Sequence, residues 1–144
     1  MKPNIGKAIG GGAAGTAVMT MMMYFVAPMM LGGPMDVAAM IGGMMGEVDG
    51  HNMIWMMGMG VHILNGVVIF PLIYVFALFG VLPGDPWLKG LIWGLVLWLL
   101  SQTMMPMMMG MPMFAGGNMM PVMASFMSHA IYGGLLGFIG GEGE

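Results

Sequence analysis

The chain has 144 residues, of which 59% are hydrophobic and only 6% carry a formal charge. Soluble proteins carry about 25% charged residues, so the composition places this chain in the membrane class. The cations are three lysines, too few to neutralise a run of phosphates, and the net charge is -3, so nucleic acid is excluded as a partner. The absence of cysteine excludes disulfides, thiolate metal sites and cysteine nucleophiles.

Four long apolar segments predict four transmembrane helices, since about 20 apolar residues cross a hydrocarbon core of about 30 Å. They run at about 8–31, 53–81, 87–113 and 119–140. The first is longer than the apolar region of a signal peptide and ends without a small-residue cleavage site, so we expect it to be retained. The expected fold is an all-α integral membrane bundle, a single transmembrane domain over residues 1–144 in contact with the lipid bilayer.

A short helix is predicted between the first two spans, at about 35–45. Gly32-Gly33-Pro34 ends the first span, and Asp36 suits the positive end of a following helix dipole. This segment is too short to span a bilayer and carries one apolar stripe. The stripe consists of Val37, Met40, Ile41 and Met44. We expect an interfacial helix lying flat on the outer membrane surface.

The lysines predict the topology. Four spans place both termini on one side, and Lys2, Lys7 and Lys89 all fall on that side. Because positively charged loops stay in the cytoplasm, both termini are predicted to be cytoplasmic. The expected location is a prokaryotic plasma (inner) membrane, in which the protein is multi-pass.

The 26 methionines are confined to part of the chain. Apart from Met1, they all lie within residues 19–59 or 104–127, which the topology places in the outer half of the spans and in the outer loops. Methionine packs adaptably, so this half is interpreted either as a contact surface for partner subunits or as a place of transient Cu(I) capture.

His62 and His129 lie within the second and fourth spans. At the helical rise of 1.5 Å per residue, they are about 13 Å and 15 Å below the outer ends of those spans, so they share one level. Ionisable side chains inside a membrane are functional candidates by default. A supporting polar layer is predicted near this level and consists of Thr20, Asn65, Gln102 and Ser125.

Two imidazoles at one depth predict a ligand site, and the ligand is left open. They could bind haem b axially, or copper together with thioethers. The candidate metal ligands are His62, His129, Met59, Met104 and Met127. The lack of cysteine and of buried carboxylates argues against zinc and hard cations. The alternative is that no cofactor binds, and that the neutral imidazoles hydrogen-bond across helices and hold the bundle in register.

Two local similarities indicate a duplicated helical hairpin. The segment 62–66, His-Ile-Leu-Asn-Gly, resembles 129–133, His-Ala-Ile-Tyr-Gly, and 7–12 matches 89–94 in the spacing of lysine and glycine. Two parallel hairpins related by an axis along the membrane normal would give this pattern.

Short motifs resemble a known family. They are Pro34-Met35-Asp36-x-Ala38-Ala39-Met40 and Leu82-Pro83-x-x-Pro86-Trp87-x-Lys89-Gly90, together with the two histidine helices. In this order they resemble a family of small bacterial four-helix inner-membrane proteins of unknown function, near the YagU-like group. The resemblance covers nearly the whole chain; it implies a four-span fold and no activity.

The sequence shows no nucleophile beside a base and no inward pair of carboxylates, so we expect a protein that is not an enzyme. The main prediction is a small accessory subunit of a larger redox or copper-handling membrane complex, bound to other membrane subunits. One alternative is a Cu(I) carrier or transporter acting alone or as a homo-oligomer. The other is a purely structural subunit without a cofactor.

Overall fold

The computed structural model describes residues 2–141. Within this range it contains four helices long and apolar enough to cross a membrane, which confirms the all-α bundle. The helices are α1 (Ile5–Leu31), α2 (Val37–Gly43), α3 (Met53–Leu78), α4 (Pro86–Met108) and α5 (Met119–Gly140), and α2 is the short one. We call the end at Ile5, Leu78, Pro86 and Gly140 the lysine end, and the opposite end the methionine end.

Glycine sets the distance between helices. α4 packs along α5, and α5 along α1. A Cβ atom placed on Gly90 would overlap the carbonyl oxygen of Gly133, and one on Gly94 would overlap that of His129. A Cβ on Gly15 of α1 would lie 2.8 Å from the Tyr132 ring. Since no hydrophobic force drives helices together inside lipid, this close backbone approach supplies the packing energy of the bundle.

Hydrogen bonds join α3 to α4 near the lysine end. The hydroxyl of Tyr74 donates to the carbonyl of Pro86 (2.9 Å), and the indole of Trp93 donates to that of Phe70 (3.2 Å). Lys89 donates to the carbonyl of Phe79 (2.7 Å) at the end of α3. Further towards the methionine end, a cavity separates α3 from α4.

A proline and a π-helical turn together free one backbone carbonyl in α3. In the turn Asn65–Ile69, the N–H of Phe70 donates to the carbonyl of Asn65, five residues back. The next donor in this register would be residue 71, which is proline and has no N–H. The carbonyl of Gly66 is therefore left over, and the hydroxyl of Tyr132 donates to it at 2.7 Å.

The same arrangement recurs in α1, before Pro28. In the π turn Met22–Val26, the N–H of Ala27 donates to the carbonyl of Met22, and Pro28 leaves that of Met23 free. The N–H of Met35 donates to it at 3.0 Å. This bond turns the connection after α1 back over the bundle, towards α2.

α2 is held against the start of α3 by Asp36 and by a close backbone contact at Gly58. Asp36 caps α2 through the N–H of Ala39 and also accepts hydrogen bonds from Tyr24 (2.6 Å) and Trp55 (2.9 Å). A Cβ on Gly58 would overlap the carbonyl of Ala38. These contacts turn the apolar stripe of α2 towards the cavity, and the position of α2 at the membrane surface stays a prediction.

The third span ends at Met108 and not at 113, because Gly110 adopts a left-handed conformation (φ 68°). The N–H of Met111 then donates to the carbonyl of Pro106 (2.8 Å), as in a Schellman motif. The second span ends at Leu78, before 81. The duplicated hairpin stays a prediction: α1 packs closely on α5, but α3 and α4 meet closely only near the lysine end.

Candidate functional site

A cavity of about 350 Å³ lies between α1, α3, α4 and α5, and α2 covers it. Its polar lining consists of Thr16, His62, Asn65, Ser101, Gln102, Ser125, His129 and Tyr132. Its thioether lining consists of Met19, Met23, Met35, Met40, Met44, Met104, Met105 and Met108. The two predicted histidines therefore share one cavity with methionines from three helices and the α1–α2 connection.

His129 is buried and has one nitrogen engaged in a backbone hydrogen bond. Its Nδ1 lies 2.8 Å from the carbonyl oxygen of Ser125, one turn earlier in α5. A carbonyl can only accept, so Nδ1 carries a proton, and in the neutral ring that burial favours Nε2 keeps a lone pair. The hydroxyl of Ser125 also lies 3.4 Å from Nδ1.

His62 is placed in the same way, through a threonine of α1. The hydroxyl of Thr20 donates to the carbonyl of Thr16 at 2.7 Å, which uses its single proton. The same hydroxyl lies 2.9 Å from Nε2 of His62, so it accepts the imidazole N–H. Nδ1 of His62 keeps a lone pair and has no hydrogen-bond partner among residues 2–141.

In its neutral form, each ring has one N–H engaged and one nitrogen free to act as a ligand. A histidine that binds a metal usually donates its other N–H to a backbone carbonyl or another polar group, which fixes the tautomer and orients the ring. His129 uses a backbone carbonyl for this purpose, and His62 uses a hydroxyl. The arrangement has the chemistry of a metal-ligand pair.

A polar layer links the helices at this level. The amide of Gln102 in α4 donates to the hydroxyls of Ser101 (3.3 Å) and Ser125 (3.2 Å). Asn65 lines the cavity, and its amide has no side-chain hydrogen bond within the described chain. The hydroxyl of Thr16 is buried, lies against Gly66, and likewise has no partner in the part of the chain described.

The structure brings most of the predicted site residues to the cavity and leaves two of the predicted metal ligands outside its lining. His62, His129 and Met104 line the cavity, as do Asn65, Gln102 and Ser125, while Thr20 supports His62 from behind. Met59 and Met127 do not line it, and Met127 is about half exposed. Their assignment as ligands is not tested by this geometry, but the cavity offers other thioethers in their place.

Sequence reasoning missed most of the thioethers that line the cavity. Met19 and Met23 of α1 are almost fully buried there, and Met40 and Met44 reach it from α2. The apolar stripe Val37, Met40, Ile41 and Met44 is the signal in the sequence for the contribution of α2. No pattern in α1 distinguishes Met19 and Met23 from their exposed neighbour Met21.

Asp36 supplies a negative charge at the cover of the cavity, between Met35 and Val37, which both line it. Partial burial acts to raise the pKa of this carboxyl. Hydrogen bonds from Tyr24, Ala39 and Trp55 outweigh that effect and hold the pKa below its usual value. Asp36 is therefore ionised at neutral pH.

The cavity lining offers imidazole nitrogens and thioether sulfurs beside the hydroxyls and amides of its polar layer, and among the described residues it contains no carboxylate. Within the described range, no group of three His, Asp or Glu side chains comes together, so the available ligands are imidazole nitrogens and thioether sulfurs. Such a set suits Cu(I), whereas carboxylates and carbonyls suit Mg²⁺ and Ca²⁺.

The family model of DUF6789, a family of unknown function, matches residues 3–141, and the chain belongs to that family. The expectation of a family of unknown function covering nearly the whole chain is thereby confirmed. The bacterial origin and the relation to the YagU-like group stay predictions. No curated protein and no solved structure matches the chain.

Proposed function

We propose that this member of DUF6789 is a small non-catalytic subunit of a copper-handling membrane complex. It binds Cu(I) between its transmembrane helices, in the half of the bundle next to the methionine end (the methionine half). One observation carries the proposal: His62 and His129 each keep one free ring nitrogen and line the same methionine-lined cavity. The proposal places the methionine end on the outer side of a prokaryotic plasma membrane and both termini in the cytoplasm.

Cu(I) suits this site because every ligand is neutral and soft or borderline. Thioethers select Cu(I), and imidazole also binds copper well. Thr20 and the Ser125 carbonyl orient the two rings, so little ordering remains to be done when the metal binds. Met104 and Met105 provide thioethers from α4, on the opposite side of the cavity from His62.

Haem b is the weaker candidate. Haem carries two carboxylates, and no lysine or arginine lines the cavity within the described residues. The lysines Lys2, Lys7 and Lys89 all lie at the lysine end, and Lys89 is engaged with Phe79. Thioethers dominate the wall instead, and these favour a soft metal ion.

A holding role fits better than transport. Towards the lysine end, the bonds of Tyr74 and Trp93 close the space between α3 and α4, so the polar lining ends near the middle of the bundle. The methionine end carries many exposed thioethers suited to contact with partner subunits. They include Met107, Met111, Met113, Met119 and Met120.

Purified protein tests the proposal. Cu(I) is offered under reducing conditions, with its free concentration set by a chromogenic chelator, and bound copper is measured by metal analysis beside an absorption spectrum. We expect about one copper per chain and an affinity at least tenfold lower in His62→Ala and in His129→Ala, the effect typical of disturbing a metal site.

His51→Ala is the matched control, because His51 lies in the α2–α3 connection, outside the cavity lining. It should bind copper as the wild type does. A wild type that binds no Cu(I) overturns the proposal. An intense Soret band in protein from its native membrane, lost in His62→Ala, would assign the site to haem. Co-purification with a complex but without either cofactor would leave a structural subunit.

A further inference from the structure

The methionines of the cavity form a graded series from the surface to the interior. Met108 is 65% exposed, Met104 49% and Met44 42%, whereas Met19 is 7% and Met23 4% exposed. All five line the same cavity. Both exposed and buried thioethers therefore line the cavity that holds the two histidines.

The ends of α2 and α4 come together beside this cavity. Met44 directly follows α2, and Met108 is the last residue of α4. A Cβ on Gly43 would lie 3.8 Å from Cε of Met109, so these two helix ends are in contact range. Met44 and Met108 are thus exposed lining residues contributed by two neighbouring elements.

Electrostatics and packing favour approach from the methionine end. The ionised Asp36 lies at the cover of the cavity, between two lining residues, and attracts cations. At the other end, Tyr74 and Trp93 join α3 to α4, and Lys89 adds a positive charge. A monovalent cation therefore meets a carboxylate and exposed thioethers at the methionine end, whereas α3 and α4 are joined at the lysine end.

We propose that Met44 and Met108 form a capture site, where Cu(I) is first bound before it moves to His62 and His129. The inference rests on the proposed function and names the route by which that site is loaded. Transfer is ligand exchange: a bond from copper to a thioether breaks as a bond to an imidazole nitrogen forms. All of these ligands are neutral, so neither a proton nor an electron is transferred.

The test separates the rate of loading from the equilibrium. In the double variant Met44→Leu with Met108→Leu, the side chains stay apolar but lose sulfur. The rate at which the protein takes up copper from a Cu(I)–chelator complex is measured by stopped-flow absorbance. We expect this rate to be about tenfold lower than in the wild type. The equilibrium affinity and the stoichiometry should stay within about twofold of the wild type, because His62 and His129 still hold the metal.

Met29→Leu with Met120→Leu is the matched control, because both residues are exposed near the methionine end and neither lines the cavity. It should load at the wild-type rate. Equal loading rates in the double variant and the wild type overturn the capture site. So does a parallel loss of rate and equilibrium affinity, which would make Met44 and Met108 ligands of the final site. Failure of the wild type to bind copper would overturn the proposed function instead. The stoichiometry of bound copper shows this before any loading rate is measured.

Discussion

The half of the bundle next to the lysine end (the lysine half) and the methionine half consist of the same four helices, but the helices pack differently in each. In the lysine half, glycines bring α4 and α5 into backbone contact, and Tyr74 and Trp93 fasten α3 to α4. In the methionine half, α3 and α4 are separated by a cavity with two histidines at its polar level. One half therefore supplies the rigidity against which the other can keep a polar cavity inside an apolar bundle.

The two halves should also respond differently to substitution. Large flexible side chains fill irregular space without packing into a single arrangement, and methionine is the most adaptable of them. Tyr74 and Leu136, by contrast, are completely buried in the core. We therefore expect substitutions at the cavity wall to reduce stability little, and an added methyl group at a glycine contact of the lysine half to reduce it more.

The substitution expected to reduce the stability of the protein most lies in the lysine half. Gly133→Ala places a Cβ on the carbonyl oxygen of Gly90, so α4 and α5 must separate. We expect a loss of at least about 3 kcal/mol in the free energy of unfolding, or failure to fold, as for other overpacked contacts. Denaturation in mixed micelles, followed by circular dichroism, measures it.

Gly134→Ala is the control, because a Cβ at the adjacent glycine meets nothing within 4 Å. It should be neutral or slightly stabilising, since alanine is the better helix former by about 1 kcal/mol. Equal behaviour of the two variants would show that α4 and α5 are not in backbone contact at Gly133.

The next effect lies at the border of the two halves. Tyr132→Phe leaves the carbonyl of Gly66 without a donor inside the bundle, which should cost about 1–3 kcal/mol of unfolding free energy. Because Pro71 is the reason that this carbonyl is free, Pro71→Ala should restore a backbone donor.

A double-mutant cycle measures this dependence. The cost of Tyr132→Phe should shrink in the Pro71→Ala background. A cost that is the same in both backgrounds would refute the link between the proline and the tyrosine, although Pro71→Ala by itself also removes packing against Gly12.

A smaller effect, on the affinity for Cu(I), is expected from a substitution in the methionine half. Thr20→Val keeps the shape of the side chain but removes the acceptor for the N–H of His62. The ring loses its fixed tautomer, so we expect Cu(I) affinity to fall by about tenfold with little change in folding. Thr103→Val is the control, because the hydroxyl of Thr103 bonds only to its own helix and Thr103 is not part of the cavity lining. Equal affinities in these two variants would assign Thr20 a structural role only.

The smallest effect concerns the cover of the cavity. The pKa of Asp36 is lowered on folding, so its contribution to stability is present above the unfolded pKa of about 4 and is lost as the pH falls through the folded pKa. The attachment of α2 should therefore loosen only in acid. Tryptophan fluorescence should report the change at Trp55, and the difference between wild type and Asp36→Asn isolates it. A wild type whose fluorescence follows that of Asp36→Asn at every pH would contradict this role.

Part of the site could be predicted from residue spacing. Counting the helical rise from the span ends placed His62 and His129 at one level, and both line one cavity. Spacing did not place the thioethers in the same way, since Met104 lines the cavity and Met59 and Met127 do not. Met127 lies two positions before His129, so the two side chains point to nearly opposite faces of α5.

Residue content and spacing were enough to predict the number of spans, the depth of the histidines and the confinement of the thioethers to one half, because these depend on segment length, apolar content and the fixed rise of a helix. The folded bundle was needed to show which methionines reach the cavity, how α2 packs and which ring nitrogens stay free. Those depend on how each helix is rotated. That rotation is set by contacts between residues far apart in the chain: Gly90 with Gly133, Asp36 with Trp55, and Thr20 with His62.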